Sequence, residues 1–207
     1  MNKILLIIGN DKIGTKGIYE IEKLNYAGRI NILIDKSSNF KRIIRLFMNK
    51  ILSLNLIFRL VISEFLRKKH KIQKYDFVKN SKDLKYKINF YKPDLVILYR
   101  CGLILSKDIL ELQPIFLNIH ASSLPKYGGL GTIHRALKDN SFDQNATLHK
   151  VIAKIDSGKV IDENPYKLKK QFSYFKNEKI AYDAACNLLI RSVDGFLNEN
   201  NYKNLIK

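Results

Sequence analysis

Two cysteines in 207 residues, Cys101 and Cys186, are too few and too isolated for a disulfide framework or a zinc site. A reducing, cytoplasmic setting fits. No internal repeat, linker or low-complexity tract interrupts the chain, and its length and 46% hydrophobic content suit one domain with one core, taken as 1–207. Long apolar runs are also missing. The run from Ile4 to Ile8 is shorter than the apolar region of a signal peptide and meets Gly9-Asn10-Asp11 at once, so it reads as a first strand. The stretch 41–69 is apolar but broken by Asn55, Arg59 and Glu64, which argues against a membrane span. Acidic residues are scarce: 19 Asp and Glu against 37 Lys and Arg leave a net charge of +18. That excess favours anionic partners. Abundant Lys, Ile and Asn equally fit a compositional bias with lysine as the default surface residue.

What is present alternates strand and helix. Gly9 to Gly17 is a loop that opens a helical pattern at Ile18, Ile21, Glu22 and Leu24, the first unit of a Rossmann-like fold whose helix amino end can receive an anion. Its glycine spacing fails the G-x-G-x-x-G fingerprint, which weakens a dinucleotide reading. Strands follow at Arg29 to Ile34, Tyr75 to Val78 and Leu95 to Leu98, the last buried on both faces by composition. Ser81 is the expected cap of a helix over Lys82 to Phe90 that Pro93 stops, and Ser106 that of a short helix through Leu110. The pattern predicts a short helix over Ile133 to Asn140 and a closing helix over Glu178 to Leu197 with Ile180, Ala184, Leu188, Val193 and Phe196 inward. The expected class is α/β: an open, twisted, mostly parallel sheet with helices on both faces.

Within 41–69 the apolar seam Ile44, Phe47, Ile51, Leu54, Phe58, Val61 and Phe65 steps by three and four, with Lys41, Arg42, Arg45, Lys50 and 67–69 around it. A helical pair packed on the sheet is the expected arrangement. A membrane-surface helix and a homodimer face stay open.

One stretch concentrates chemistry. From Pro114 to Ile119 the chain is an apolar strand; it then turns into His120-Ala121-Ser122-Ser123-Leu124-Pro125-Lys126-Tyr127-Gly128-Gly129. Side chains two apart share a strand face, so Asn118 and His120 project together at the strand's carboxyl end, where open α/β sheets bind ligands. The glycines of 128–131 allow a close backbone approach to a ligand or a simple turn. Downstream, a strand from Ala146 carries His149 and ends at the Asp156-Ser157-Gly158 turn before the strand Val160-Ile161.

Taken in order, Asn118-x-His120, Ser123-Leu124-Pro125-x-Tyr127-x-Gly129 and Asp156-x-Gly158-x-x-Ile161 resemble the amino-terminal domain of the folate-dependent formyltransferases. The likeness runs from the first strand through the last helix and is densest from Leu95 to Ile161. It implies transfer of a formyl group from 10-formyltetrahydrofolate to a primary amine, with no metal. Such a transfer passes through a tetrahedral oxyanion, which needs a hydrogen-bond donor and a route for the amine proton. The resemblance gives Asn118 the donor role, His120 the proton or a second donor, and Asp156 the partner that raises and orients the imidazole. His149 is implied as support behind them.

The same resemblance implies a pterin pocket lined largely by the backbone of Tyr99, Arg100, Cys101 and Gly102 and covered by the loop Val151, Ile152, Ala153, Lys154 and Ile155. Cys101 is otherwise a small buried filler, and Arg100 reaches either an anionic ligand group or a structural carboxylate. The acceptor is expected against Gly9, Asn10, Asp11, Lys12, Ser122, Ser123, Tyr127, Gly128 and Gly129. Relatives that formylate glycinamide ribonucleotide hold its phosphate with Gly-Ser-Asn in the first loop; this chain keeps Gly9-Asn10 and lacks the Ser-Asn. The 41–69 stretch is similar to a basic helical insert of formyltransferases from surface-carbohydrate pathways.

The acceptor expected is therefore a phosphate-bearing, nucleotide-linked amino sugar, with the ribonucleotide second. A second domain, as in transfer-RNA formyltransferases, is not expected. His70 and His134 are expected to face solvent. No specific nucleic acid is expected, which leaves a basic binding module as a weaker rival, alongside a nicotinamide oxidoreductase.

Overall fold

The structure, a computed structural model, describes residues 3–26, 28–37, 47–48 and 53–198. Seven strands form one sheet: β1 (Ile4–Gly9), β2 (Ile30–Asp35), β3 (Asp76–Val78), β4 (Leu95–Tyr99), β5 (Ile115–His120), β6 (Asp143–Lys150) and β7 (Val160–Lys167), in the order β3-β2-β1-β4-β5-β6-β7. Pairing is parallel from β3 to β5 and antiparallel across β5·β6 and β6·β7. The order reverses beside β1, which opens a crevice at the strands' carboxyl ends. β1 and β4 are buried at every residue, as their unbroken apolar composition requires. Full burial of each Leu or Ile side chain there contributes about 1.5–3 kcal/mol. β7 is an edge strand, where Pro165 costs no ladder bond that a central strand would need.

Helices α1 (Lys12–Glu22) and α6 (Tyr174–Asn198) cover one face, enclosing Ile8, Ile18, Ile97, Tyr99 and Leu189. α3 (Ser81–Tyr91) and α4 (Lys107–Leu110) cover the other, around Leu5, Ile7, Leu84, Val96 and Ile109. A third cluster joins α2 (Leu54–Leu66), α5 (Thr132–Lys138) and the start of α6 through Leu56, Tyr127, Ile133, Ala136 and Tyr174.

The expected arrangement of α2 is inverted. Ser53 caps it, its Oγ accepting from the Leu56 N–H at 3.2 Å, but the buried residues are Leu56 and Ser63. The seam residues Leu54, Phe58, Val61 and Phe65 are 63% exposed or more. Polar contacts turn the helix this way. Glu64 Oε1 accepts from the Lys12 N–H at 2.8 Å, and Arg67 pairs with Glu64 and with the buried Glu178. Ile44 and Ile51 lie outside the described residues. Among the described residues no helix is long and apolar enough to cross a membrane.

Smaller differences follow from local chemistry. Asn80, not Ser81, caps α3, its Oδ1 accepting from the Asp83 N–H at 3.0 Å, and the helix ends at the left-handed Lys92 before Pro93. α6 begins at Tyr174, four residues early, because Asn177 and Glu178 are buried by partners that composition does not reveal. Asn177 bonds the Lys169 segment at both its N–H and carbonyl, and Glu178 meets Arg67. Ile180 is half-exposed, with Ala181 taking the inward position.

Candidate active site

Asn118 and His120 leave the carboxyl end of β5 on one face, as period two requires. The antiparallel register sets His149 of β6 opposite Asn118, and the two side chains meet at 3.1 Å between Asn118 Nδ2 and His149 Nε2. The turn after β6 brings Asp156 back over both. Its Oδ1 lies 3.4 Å from Asn118 Nδ2 and 3.4 Å from His149 Nε2, and its Oδ2 lies 3.5 Å from His120 Nδ1. Residues far apart in sequence thus form one cluster of an amide, two imidazoles and a carboxylate.

Two glycines make the convergence feasible. A Cβ at Gly158 would lie 1.9 Å from the Lys150 carbonyl oxygen, so only glycine lets this turn close against the end of β6. Gly129 adopts φ +80°, a conformation side chains disfavour, and its N–H donates to Asp156 Oδ2 at 2.7 Å. Asp156 itself has φ +48°, which Asp tolerates better than most residues.

Hydrogen bonding orients both imidazole rings. His149 Nδ1–H donates to the Lys150 carbonyl at 2.9 Å. Its Nε2 then faces both the Asn118 amide and Asp156 Oδ1, and the ring positions the amide. His120 Nε2–H donates to the Tyr127 carbonyl at 2.8 Å, which turns Nδ1 toward Asp156. Burial lowers the His120 pKa below its ordinary 6.5, outweighing Asp156 and the Tyr127 carbonyl, which both favour the cation. For Asp156, burial raises the pKa, but the contact with His149, the charge of His120 and the Gly129 N–H outweigh it and bring the carboxyl to about 2. A fixed anion beside an imidazole held neutral by burial can accept and return a proton near neutrality.

The other expected site residues divide. Tyr99 is buried between α1 and α6, so only its backbone can face a ligand. Arg100 turns to a structural carboxylate: its guanidinium binds Asp11 Oδ2, and its Nη1 donates to the Tyr182 hydroxyl at 2.5 Å. Asp35 at the end of β2 accepts from the Gly102 N–H at 2.5 Å, an anchor with no sequence signature. Cys101 is partly buried, packed with Leu103 and Val151 on the α3/α4 side of the sheet. The loop onward is open, with Ile152 and Ile155 at 45% and 61% exposure and Ala153 and Lys154 exposed.

Several residues expected against the acceptor are engaged internally. Ser122 is fully buried, bonding Thr132, and Ser123 Oγ accepts from the Asn145 N–H at 2.8 Å. Tyr127 is 2% exposed and donates to Asp139. Its carbonyl, and the N–H of Gly129, are what reach the cluster. At α1, Asp11 Oδ1 accepts from the Gly14 N–H at 2.7 Å while Glu64 takes the Lys12 N–H. Lys12 Nζ donates to the Phe65 carbonyl at 3.0 Å, and Asn10 alone of this loop is exposed. Two carboxylates thus occupy the helix amino end that an anion would need. Glu64 is 52 residues from Lys12, so no local motif announces it.

His70 stacks on Tyr19 at 4.9 Å and His134 lies 6.4 Å from Tyr174, so both are half-buried rather than solvent-facing. Burial, then nearby cations, lowers the pKa of each. No group of His, Cys, Asp and Glu suited to a metal occurs among the described residues.

A family model described as "Formyl transferase" matches residues 3–181. The methionyl-tRNA formyltransferase of Thermosipho africanus is 36% identical over 113 residues, 54% of this chain and 35% of that protein. The chain spans about a third of the length of the first curated relatives it matches. Among solved structures, an N-formyltransferase from Helicobacter canadensis in complex with folinic acid and dTDP-3-aminofucose superposes with a TM-score of 0.64 at 16% identity, over 96% of this chain and 65% of that one. A phosphoribosylglycinamide formyltransferase from Campylobacter jejuni gives 0.61 at 17%, over 94% and 97%.

Proposed function

This chain belongs to the formyl transferase family, and from that premise we propose that it moves a formyl group from 10-formyltetrahydrofolate to the primary amine of a nucleotide-linked amino sugar. The observation that carries the reading is the convergence of Asn118, His120 and Asp156, with His149 behind them, at the end of β5. The folate supplies an electrophilic formyl carbon when bound. Its fit rests on the sheet face that Asn118 shares with Phe116, where partly buried Cys101, Leu103 and Val151 pack against one apolar cluster and Ile152 and Ile155 of the following loop are exposed, an apolar border suited to a flat heterocycle.

Each residue then has a task. Asn118 Nδ2 is the donor aimed at the formyl oxygen as negative charge develops there. It is held by His149 and only weakly by Asp156, so one N–H can be redirected at small cost. His120 takes the proton that the attacking amine loses and returns it toward the leaving nitrogen; Asp156, ionised throughout the working range, stabilises the imidazolium. The backbone of 99–102 and the loop 151–155 hold the folate, and the main chain of 127–129 borders the acceptor.

The acceptor assignment is supported by α1. Asp11 and Glu64 satisfy its first amides, so a ribonucleotide phosphate would meet two carboxylates there. The Helicobacter neighbour was solved in complex with dTDP-3-aminofucose, a nucleotide-linked amino sugar. Glycinamide ribonucleotide is the second reading, favoured by the near-complete coverage of the Campylobacter enzyme. Tetrahydrofolate release, followed with nucleotide-linked 3- and 4-amino sugars and with glycinamide ribonucleotide in parallel, tests the choice. Turnover confined to sugars supports it; turnover confined to the ribonucleotide overturns it.

A further inference from the structure

We propose that the outer face of α2 docks the protein on anionic phospholipid surfaces. The face is apolar where a soluble helix is normally polar: Leu54, Phe58, Val61 and Phe65 recur at helical spacing, with Leu66 beside Phe65, and are 57–81% exposed. The helix is fixed with this face outward by its other side, where Leu56 and Ser63 are buried and the buried Arg67–Glu178 pair anchors the end. An exposed apolar patch so held marks an interaction surface.

Charge selects the occupant. Between Asp35 and Asp76 the sequence holds eleven lysines and arginines and one acidic residue, Glu64. Its carboxylate is taken up by the Lys12 N–H and by Arg67. Directly after the helix, Lys68, Lys69, Lys71 and Lys74 are all exposed, and Arg59 is exposed within it. An apolar stripe followed by exposed cations and carrying no unpaired anion is complementary to an anionic headgroup layer. A second copy would bring two such basic faces together, which like-charge repulsion opposes. A polynucleotide would gain nothing from the exposed Leu, Val and Phe side chains.

The test is co-sedimentation with vesicles of phosphatidylcholine alone and with 30% phosphatidylglycerol, at low and at 0.5 M salt, beside sedimentation velocity and thermal melts. The expected result is at least about tenfold tighter binding to the anionic vesicles, weakened by salt and lowered about tenfold or more by Phe58→Glu with Phe65→Glu. The double variant melts as the parent does, because both side chains are already in solvent. Equal binding by parent and variant overturns the proposal. So does a dimer that the variant dissociates, binding to polyanions but not to vesicles, or a lowered melting temperature, which would show the face covered by the chain itself.

Discussion

Asp156→Asn tests the cluster most closely among substitutions, because Asn also tolerates the left-handed φ of 48° and leaves the turn unstrained. The carboxyl is nearly enclosed, at 12% exposure, and its pKa falls from 3.8 to about 2 in the folded protein. At 1.36 kcal/mol per unit, ionised Asp156 contributes up to about 2 kcal/mol relative to an unperturbed carboxylate, in full only where His120 is protonated beside it. The sign follows from proton uptake. Above about pH 4 the residue is charged in both folded and unfolded chains and the contribution is present; as the pH falls toward 2 the unfolded chain protonates first and the contribution is lost. Urea denaturation near pH 5, where His120 carries more charge than at pH 7, is therefore expected to find the Asn variant up to about 2 kcal/mol less stable, with a smaller gap at pH 7. The gap should narrow in the most acid solutions in which the protein still folds. An Asn variant as stable as its parent near pH 5 would refute the electrostatic account of the cluster.

Gly158→Ala should cost about 10²-fold or more in rate, since its Cβ can be housed only by moving the turn that carries Asp156 away from Lys150, and a displacement of about 1 Å has that effect elsewhere. Steady-state kinetics beside a melting curve separates this from unfolding. Arg67→Ala leaves the 1%-exposed Glu178 carboxylate without its ion pair and should destabilise the fold by about 3–5 kcal/mol, read by chemical denaturation. His120 has a folded pKa below 6.5, so the unfolded chain takes up a proton first as the pH falls. Stability should decline downward from about pH 6.5, and His120→Gln should flatten that decline except for the share of His70 and His134.

Much of this architecture is written locally. β1, β4 and β5 are apolar runs closed by glycine or polar loops, and those runs place Asn118 and His120 on one face without any tertiary information. The Asp156-x-Gly158 turn is legible as a turn; that Gly158 abuts the Lys150 carbonyl, and so sets Asp156 over β5, needs the fold.

Long-range polar partners account for the misplacements. The seam of α2 has helical spacing, yet Glu64 and Arg67 turn it to solvent through contacts with Lys12 and Glu178, 52 and 111 residues away. Ser122, Ser123 and Tyr127 belong to a motif beside the site, but their side chains brace the loop from within. Its main chain is what reaches the cluster. Arg100 illustrates the same point: its structural carboxylate, Asp11, lies 89 residues away.

The central claim is that the Asn118–His120–Asp156 cluster performs formyl transfer. Its most direct measurement is the pre-steady-state appearance of tetrahydrofolate from 10-formyltetrahydrofolate with a nucleotide-linked amino sugar, for the parent, Asn118→Ala and His120→Ala. The account predicts single-turnover release that is slowed about 10²–10³-fold when the Asn118 donor is removed, and slowed at least comparably without His120, while folate still binds. Unchanged release in either variant, or none from the parent with any amine, would contradict it.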